Sequence, residues 1–185
     1  MHRHNFVSLM VAATVGFGGI AGVARADQAM DQLASDANKS IMVAEVAVDQ
    51  ARIAIENGKQ LVAVIPADSP LMSEVKQMLM AAAENWSIAV DSLSGAKESA
   101  SKISTASNIE VAKDYKLLAQ VNSRVALSGA KVVQTSLLFV DAVAGNKGEA
   151  LDIIRMAMQD SLAATSQVQF NYERVKALIL GKYSN

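Results

Sequence analysis

The tightest constraint on this chain is the spacing of apolar residues between Ser69 and Ile103. Steps of alternately three and four residues land on Met72, Val75, Leu79, Ala82, Trp86, Ala89, Leu93, Ala96, Ala100 and Ile103, all apolar. Glu74, Lys76, Glu84, Asp91, Lys97, Glu98 and Lys102 all fall off that line. A narrow stripe with this period is the seam of a helix packed lengthwise on other helices. At 1.5 Å per residue the rod is about 50 Å long. Its length sets the scale for the partners it needs.

The same period recurs three more times. Met30, Ala34, Ala37, Ile41, Ala44, Val48, Ala51 and Ile55 trace an earlier helix whose seam is mostly alanine. Leu118, Val121, Val125, Ser128, Val132, Thr135, Phe139 and Ala142 trace a third. Leu151, Ile154, Met158, Ser161, Thr165, Val168, Tyr172, Val175 and Ile179 trace a fourth. The punctuation agrees. Gly58 is a C-terminal stop for the first helix, because glycine takes the left-handed conformation without a Cβ clash. Ser69-Pro70 opens the second, with proline suited to the first helical position. Ser107 and Glu110 make an S-x-x-E capping box for the third. Gly145 ends the third, Asn146 to Glu149 turn the chain, Gly181 stops the fourth, and residues 182–185 fray.

The pattern predicts helices over 27–57, 70–104, 108–144 and 148–180. Short connections favour antiparallel neighbours. The expected fold is all-α: an elongated antiparallel, up-down-up-down four-helix bundle forming one domain over 27–185. A chain of this size buries about 68–70% of the surface its unfolded form exposes, enough for a core.

Residues 1–26 read as a cleavable signal peptide. Arg3 supplies the basic start, 6–23 is the apolar core, and Ala24-Arg25-Ala26 presents small residues where a signal peptidase reads. Export places the product in the periplasm or outside the cell. Cleavage removes His2 and His4, the only histidines. Loss of Arg3 and Arg25 leaves 15 basic against 18 acidic side chains, a net charge of −3. That surface lacks the basic footprint of a nucleic-acid binder. Beyond the signal, no segment reads as a membrane span.

The chain has no cysteine, which excludes thiolate catalysis, Cys-ligated zinc, iron–sulfur clusters and covalent haem. Without histidine, Glu45, Asp49 and Glu56 cannot complete a bundle di-iron site, and serine has no imidazole base. Met78/Met80 and Met156/Met158 diverge at a spacing of two, so methionine fills the core rather than holding copper. No cofactor and no metal site is expected, and the chain reads as non-enzymatic.

Two groups remain as candidate sites. Measured from the turns, Trp86, Ser128 and Thr165 fall at one height, and a buried indole N–H wants an acceptor. They are a candidate polar layer or ligand contact. Leu61, Val62, Val64 and Ile65 lie just before Pro66 and are a candidate partner patch. The expected function is a binding, scaffolding or assembly component whose partner is protein, either a second copy or another chain. The alternative is a carrier holding a small apolar ligand between the helices, near Trp86, Phe139, Phe170 and Tyr172. N-terminal sequencing of the exported protein should begin at Asp27; an intact Met1 would overturn the signal-peptide reading.

Overall fold

A computed structural model describes the backbone of residues 5–183 and the side chains of 27–183. Side chains of the expected signal, 1–26, therefore lie outside the described residues. Among the described residues the chain has helices and no strand: α1 (Asn5–Val62), α2 (Met72–Ser101), α3 (Ile109–Ala144), a 3-10 turn (Gly148–Ala150) and α4 (Leu151–Lys182).

The buried positions recur at seven residues on every helix. They are Ala37, Ala44, Ala51 and Gly58 on α1, and Val75, Ala82, Ala89 and Ala96 on α2. On α3 they are Ala112, Ala119, Ala126, Val133 and Val140, and on α4 Leu151, Met158 and Thr165. On α2 the expected seam splits in two: the members just named are buried, while Met72, Leu79, Trp86 and Leu93 are half-buried flanks packed on the core. A repeat of seven is shorter than two full turns, so helices that keep it coil gently about each other.

The four helices are not equivalent. α3 packs against all three others, and α1 and α2 also meet. Of the other long helices α4 packs its backbone only on α3, and no Cα of α4 comes within 8 Å of α1 or α2. Contacts of α3 with α4 run in opposite order, Asp114 with Lys182, Ser128 with Thr165 and Ser136 with Met158. Contacts of α1 with α3 run in the same order, Asp36 with Lys116 and Ala47 with Gln134. Among the described residues α3 is long and apolar enough to cross a membrane, by length and composition, although no segment beyond 1–26 was expected to be. Its apolar window is 67% buried inside the protein, as a central helix requires.

Close approach has visible causes. A Cβ added at Gly129 would lie 2.9 Å from the Asn85 carbonyl oxygen and 3.3 Å from the Ala89 Cβ. Only glycine lets the α3 backbone sit that near α2. At Gly58 the near neighbour is a side-chain end rather than backbone: a Cβ there would be 2.5 Å from Leu137 Cδ2, which would have to turn aside. This corrects the expected stop. Gly58 is buried inside α1, which runs on to Val62.

Other boundaries also shift. Asn108, not Ser107, caps α3, accepting from Glu110 N and Val111 N at 3.0 Å each. α2 starts at Met72, and Ser69 Oγ accepts from Leu71 N at 3.4 Å. Asn146, at φ 54°, takes the left-handed position expected of Gly145. Lys147 N then donates to Ala142 O and Asn146 N to Val143 O, closing the end of α3. Gly181 lies within α4.

Lys182 and Tyr183 do not fray. Lys182 Nζ donates to both oxygens of Asp114 at 2.8 and 3.0 Å, and Tyr183 Oη donates to one of them at 2.8 Å. Asp114 is buried, and the clamp fastens the end of α4 to the start of α3. At the other end, Arg155 of α4 reaches across to Glu74 of α2 with bonds of 2.6 and 2.8 Å.

Gly129→Ala should lose about 1–2 kcal/mol in urea unfolding, since crowding against backbone outweighs the helix propensity gained. Gly181→Ala, which meets nothing within 4 Å, should be neutral or slightly stabilising.

Candidate functional site

α1 and α4 flank α3 with no Cα of one within 8 Å of the other, and between them α3 keeps one stripe open to solvent. That stripe is Leu117, Gln120, Arg124, Leu127, Lys131, Gln134, Leu138 and Asp141, each exposed or half-buried. Its steps of three and four are those of the interior seams, with polar residues admitted. The groove above it has a volume of about 530 Å³ where Ala47 and Gln50 of α1 face Val168 of α4 over Leu127, Ser128 and Lys131. It continues toward Asp141 in a further groove of about 390 Å³, beside Ala54 and Leu61.

Outside the groove, α1 presents apolar side chains to water. Met42, Val43 and Val46 of α1 are 63%, 58% and 60% exposed, and Ile53 is 44% exposed. On α4, Ile153, Met156, Leu162 and Phe170 are exposed as well, while Val168 is the α4 residue that lines the groove. Single exposed apolar residues are ordinary, but a contiguous face of them marks an interaction surface. Arg124 and Lys131 on the groove floor join no ion pair within the subunit, as is also true of Lys59, Lys76, Arg174 and Lys176 among the described residues.

Ser128 and Thr165 meet at the edge of this groove, 2.7 Å apart. Thr165 Oγ1 already donates to Ser161 O at 2.8 Å, so its one proton is spent and Ser128 is the donor. Trp86 stands apart from them. It lies half-buried on α2, across α3 from α4, and forms no hydrogen bond with either hydroxyl. The buried polar residues facing the α2–α3 contact are Asn85, whose Nδ2 donates to Ala81 O at 3.0 Å, and Asn122, beside Gly95. Sequence reasoning missed both, although Gly95 and Gly129 mark where the backbones close on them.

The apolar strip before Pro66 is divided. Leu61 and Val62 are half-buried in α1 and pack on the core, Ile65 is 6% exposed, and Val64 is 68% exposed. Phe139 is fully buried in the packed core, while Phe170 is 59% exposed on α4, so these two aromatics do not share one cavity.

The electrostatics of this face are those of cross-links. The Lys116 hydrogen bond, and then that of Gln32, hold Asp36 below the usual carboxylate range. Arg155 does the same for Glu74, and its own guanidinium is raised in turn. For Asp114, burial pushes the carboxyl up, but the hydrogen bonds from Lys182 and Tyr183 outweigh it and the net shift is downward. Among the described residues no group of three or more Asp, Glu, His or Cys is placed to hold a metal ion.

Comparison with protein-family profiles, with curated proteins and with solved structures finds no match.

A carboxyl lowered in the folded state favours folding above its unfolded value, and that advantage is lost as pH falls through the lowered one. Asp114→Asn should therefore cost about 1–3 kcal/mol above pH ~5. The stability gap to the native chain should narrow toward pH ~2, read by chemical denaturation across the pH series.

Proposed function

We propose that the chain is an exported, non-enzymatic helical-bundle protein that works through its surface as a binding, scaffolding or assembly component. In this reading residues 1–26 are a signal cleaved after Ala26, the product resides in the periplasm or outside the cell, and no membrane span remains. The helices form an elongated up-down-up-down bundle. The partner is protein, not nucleic acid, in keeping with a mature charge of −3 drawn from 15 basic and 18 acidic side chains.

One observation carries the proposal. Exposed Met42, Val43, Val46 and Ile53 line α1 beside an α3 stripe that has the period of a packing seam but no helix upon it. Apolar surface of this extent and regularity is stabilised by being covered.

A second reading, a carrier of a small apolar ligand, draws on the groove of about 530 Å³ between α1 and α4. Its volume falls in the range of small-molecule sites. That site would lie over Leu127 and Val168 rather than beside Phe139. Purified protein with a co-eluting lipid or pigment would favour it.

The test is a photo-crosslinking residue in place of Val46, activated in the exporting cell. Discrete adducts to protein are expected, and none when the probe replaces the buried Ala44. Absence of any protein adduct, or turnover of a substrate by the purified chain, would overturn the proposal.

A further inference from the structure

The outermost stripe of α1 repeats the spacing of the open stripe on α3. It runs Lys39, Met42, Val46, Asp49, Ile53, Glu56 and Gln60, in steps of three and four, all exposed. Two acids seven residues apart, Asp49 and Glu56, match two cations seven apart, Arg124 and Lys131.

Laid antiparallel, the two stripes pair from one end of the α1 stripe to the other, with Leu117 of α3 lying beyond it. Lys39 meets Asp141, Met42 meets Leu138 and Val46 meets Gln134. Asp49 then meets Lys131, Ile53 meets Leu127, Glu56 meets Arg124 and Gln60 meets Gln120. One register gives three pairs of opposite charge and two apolar pairs, every pair totalling 180 in residue number. It spans 22 residues of α1, about 33 Å of helix. Within the subunit Asp49 and Glu56 are held by Arg52 at 2.9 and 2.8 Å, Lys39 by Asp36 at 3.5 Å and Asp141 by Lys147 at 3.0 Å, at exposed positions where such bonds cost little to share.

From this complementarity we infer that the groove between α1 and α4 is filled by α1 of a second copy of the chain, in a twofold-symmetric dimer. The contact is reciprocal: each α1 lies in the other subunit's groove, so the exposed faces of both are covered at once. The two α1 helices then run side by side and antiparallel about the twofold axis. Val43, Ala47 and Ala54, which line the α1 wall of the groove, face one another there.

A parallel pairing does not close. To put both acids on both cations it needs residue numbers that differ by 75. A twofold along the helices preserves the offset within one subunit, where contacting α1 and α3 residues differ by 79 to 87: Gly58 with Leu137, Asp36 with Lys116, Ala47 and Gln50 with Gln134. The alanine seam of α1, another candidate for self-pairing, is unavailable because Ala37, Ala44 and Ala51 are fully buried within the subunit.

The inference rests on the assembly reading above and names its partner. The absence of native cysteine makes the test clean. Full-length Ile53→Cys is mixed with full-length Leu127→Cys under mild oxidant, and separately with Leu138→Cys. The first mixture should give roughly tenfold more disulfide-linked dimer, because Leu138 is displaced by about 16 Å in this register. Equal yields, or none in either mixture, would overturn the dimer.

Charge reversal provides the second readout. Asp49→Lys with Glu56→Lys, or Arg124→Glu with Lys131→Glu, should weaken dimerisation roughly tenfold or more by sedimentation. The four changes together should restore it; weakening without rescue would overturn the register. All four sites are exposed, so helicity should be unchanged. If the cysteine pairs fail while Val46 adducts run at the mass of a different protein, the scaffold reading survives and the dimer is discarded.

Discussion

Backbone proximity governs this molecule. Alanine or glycine stands at most of the seven-residue positions where α1 and α2 meet α3, and at Gly129 the two chains come so near that a methyl would strike the Asn85 carbonyl. Each buried alanine removes little apolar surface from water, so no single contact dominates. What the small residues supply is contact between helix backbones over many turns, with dispersion summed along the length. Such a core tolerates little added volume, because interiors are packed to crystal-like density. It also explains how a chain with only 4% aromatic residues builds a core.

Close helices leave polar side chains few places to go, and the buried hydroxyls meet this locally. Ser123, Thr135, Ser136, Ser161 and Thr165 each donate to the carbonyl four residues earlier on the same helix. Self-satisfaction of this kind lets serine and threonine occupy small positions at low cost. Among the described residues no buried side-chain nitrogen or oxygen lacks a partner. Charged cross-helix contacts lie at the margins: Asp36 with Lys116, Glu45 with Lys97, Glu74 with Arg155, Asp114 with Lys182 and Tyr183. These pairs fix which helix ends are neighbours.

The period was legible in the sequence, and the helices follow from it, because a three-four repeat leaves one consistent face to bury. Boundaries were less legible where one residue type serves two purposes. Gly58 reads equally as a stop and as a close-approach residue, and only the Leu137 side chain opposite decides. Ser107 and Asn108 both fit a cap, and backbone geometry selects Asn108. The rank of α3 was hidden because it carries valine and alanine on every side, so a search for one seam found one of several. Ser128 and Thr165 were placed together by counting from the turn that joins their helices. Trp86 was counted from a different turn, and α3 itself stands between them. The groove was not legible, since it depends on which helix pairs fail to meet.

That failure has a cause in side-chain size. Where α1 and α2 present alanine to α3, α4 presents Leu151, Met158, Thr165, Tyr172 and Ile179 at the corresponding seven-residue positions. Larger side chains hold a helix axis farther out, within the usual range of about 8–10 Å between packed helices. No α4 Cα comes within 8 Å of α1 on the other shoulder of α3. The slot between them is therefore a product of the same packing rule that closes the remainder of the core, and its floor keeps the three-four period of a seam. Charged residues enter that floor at Arg124 and Lys131, where a purely apolar stripe would adhere to any exposed helix. Cations seven residues apart restrict the acceptable occupant to a helix with carboxylates at the same interval, and α1 carries Asp49 and Glu56 on its outermost line.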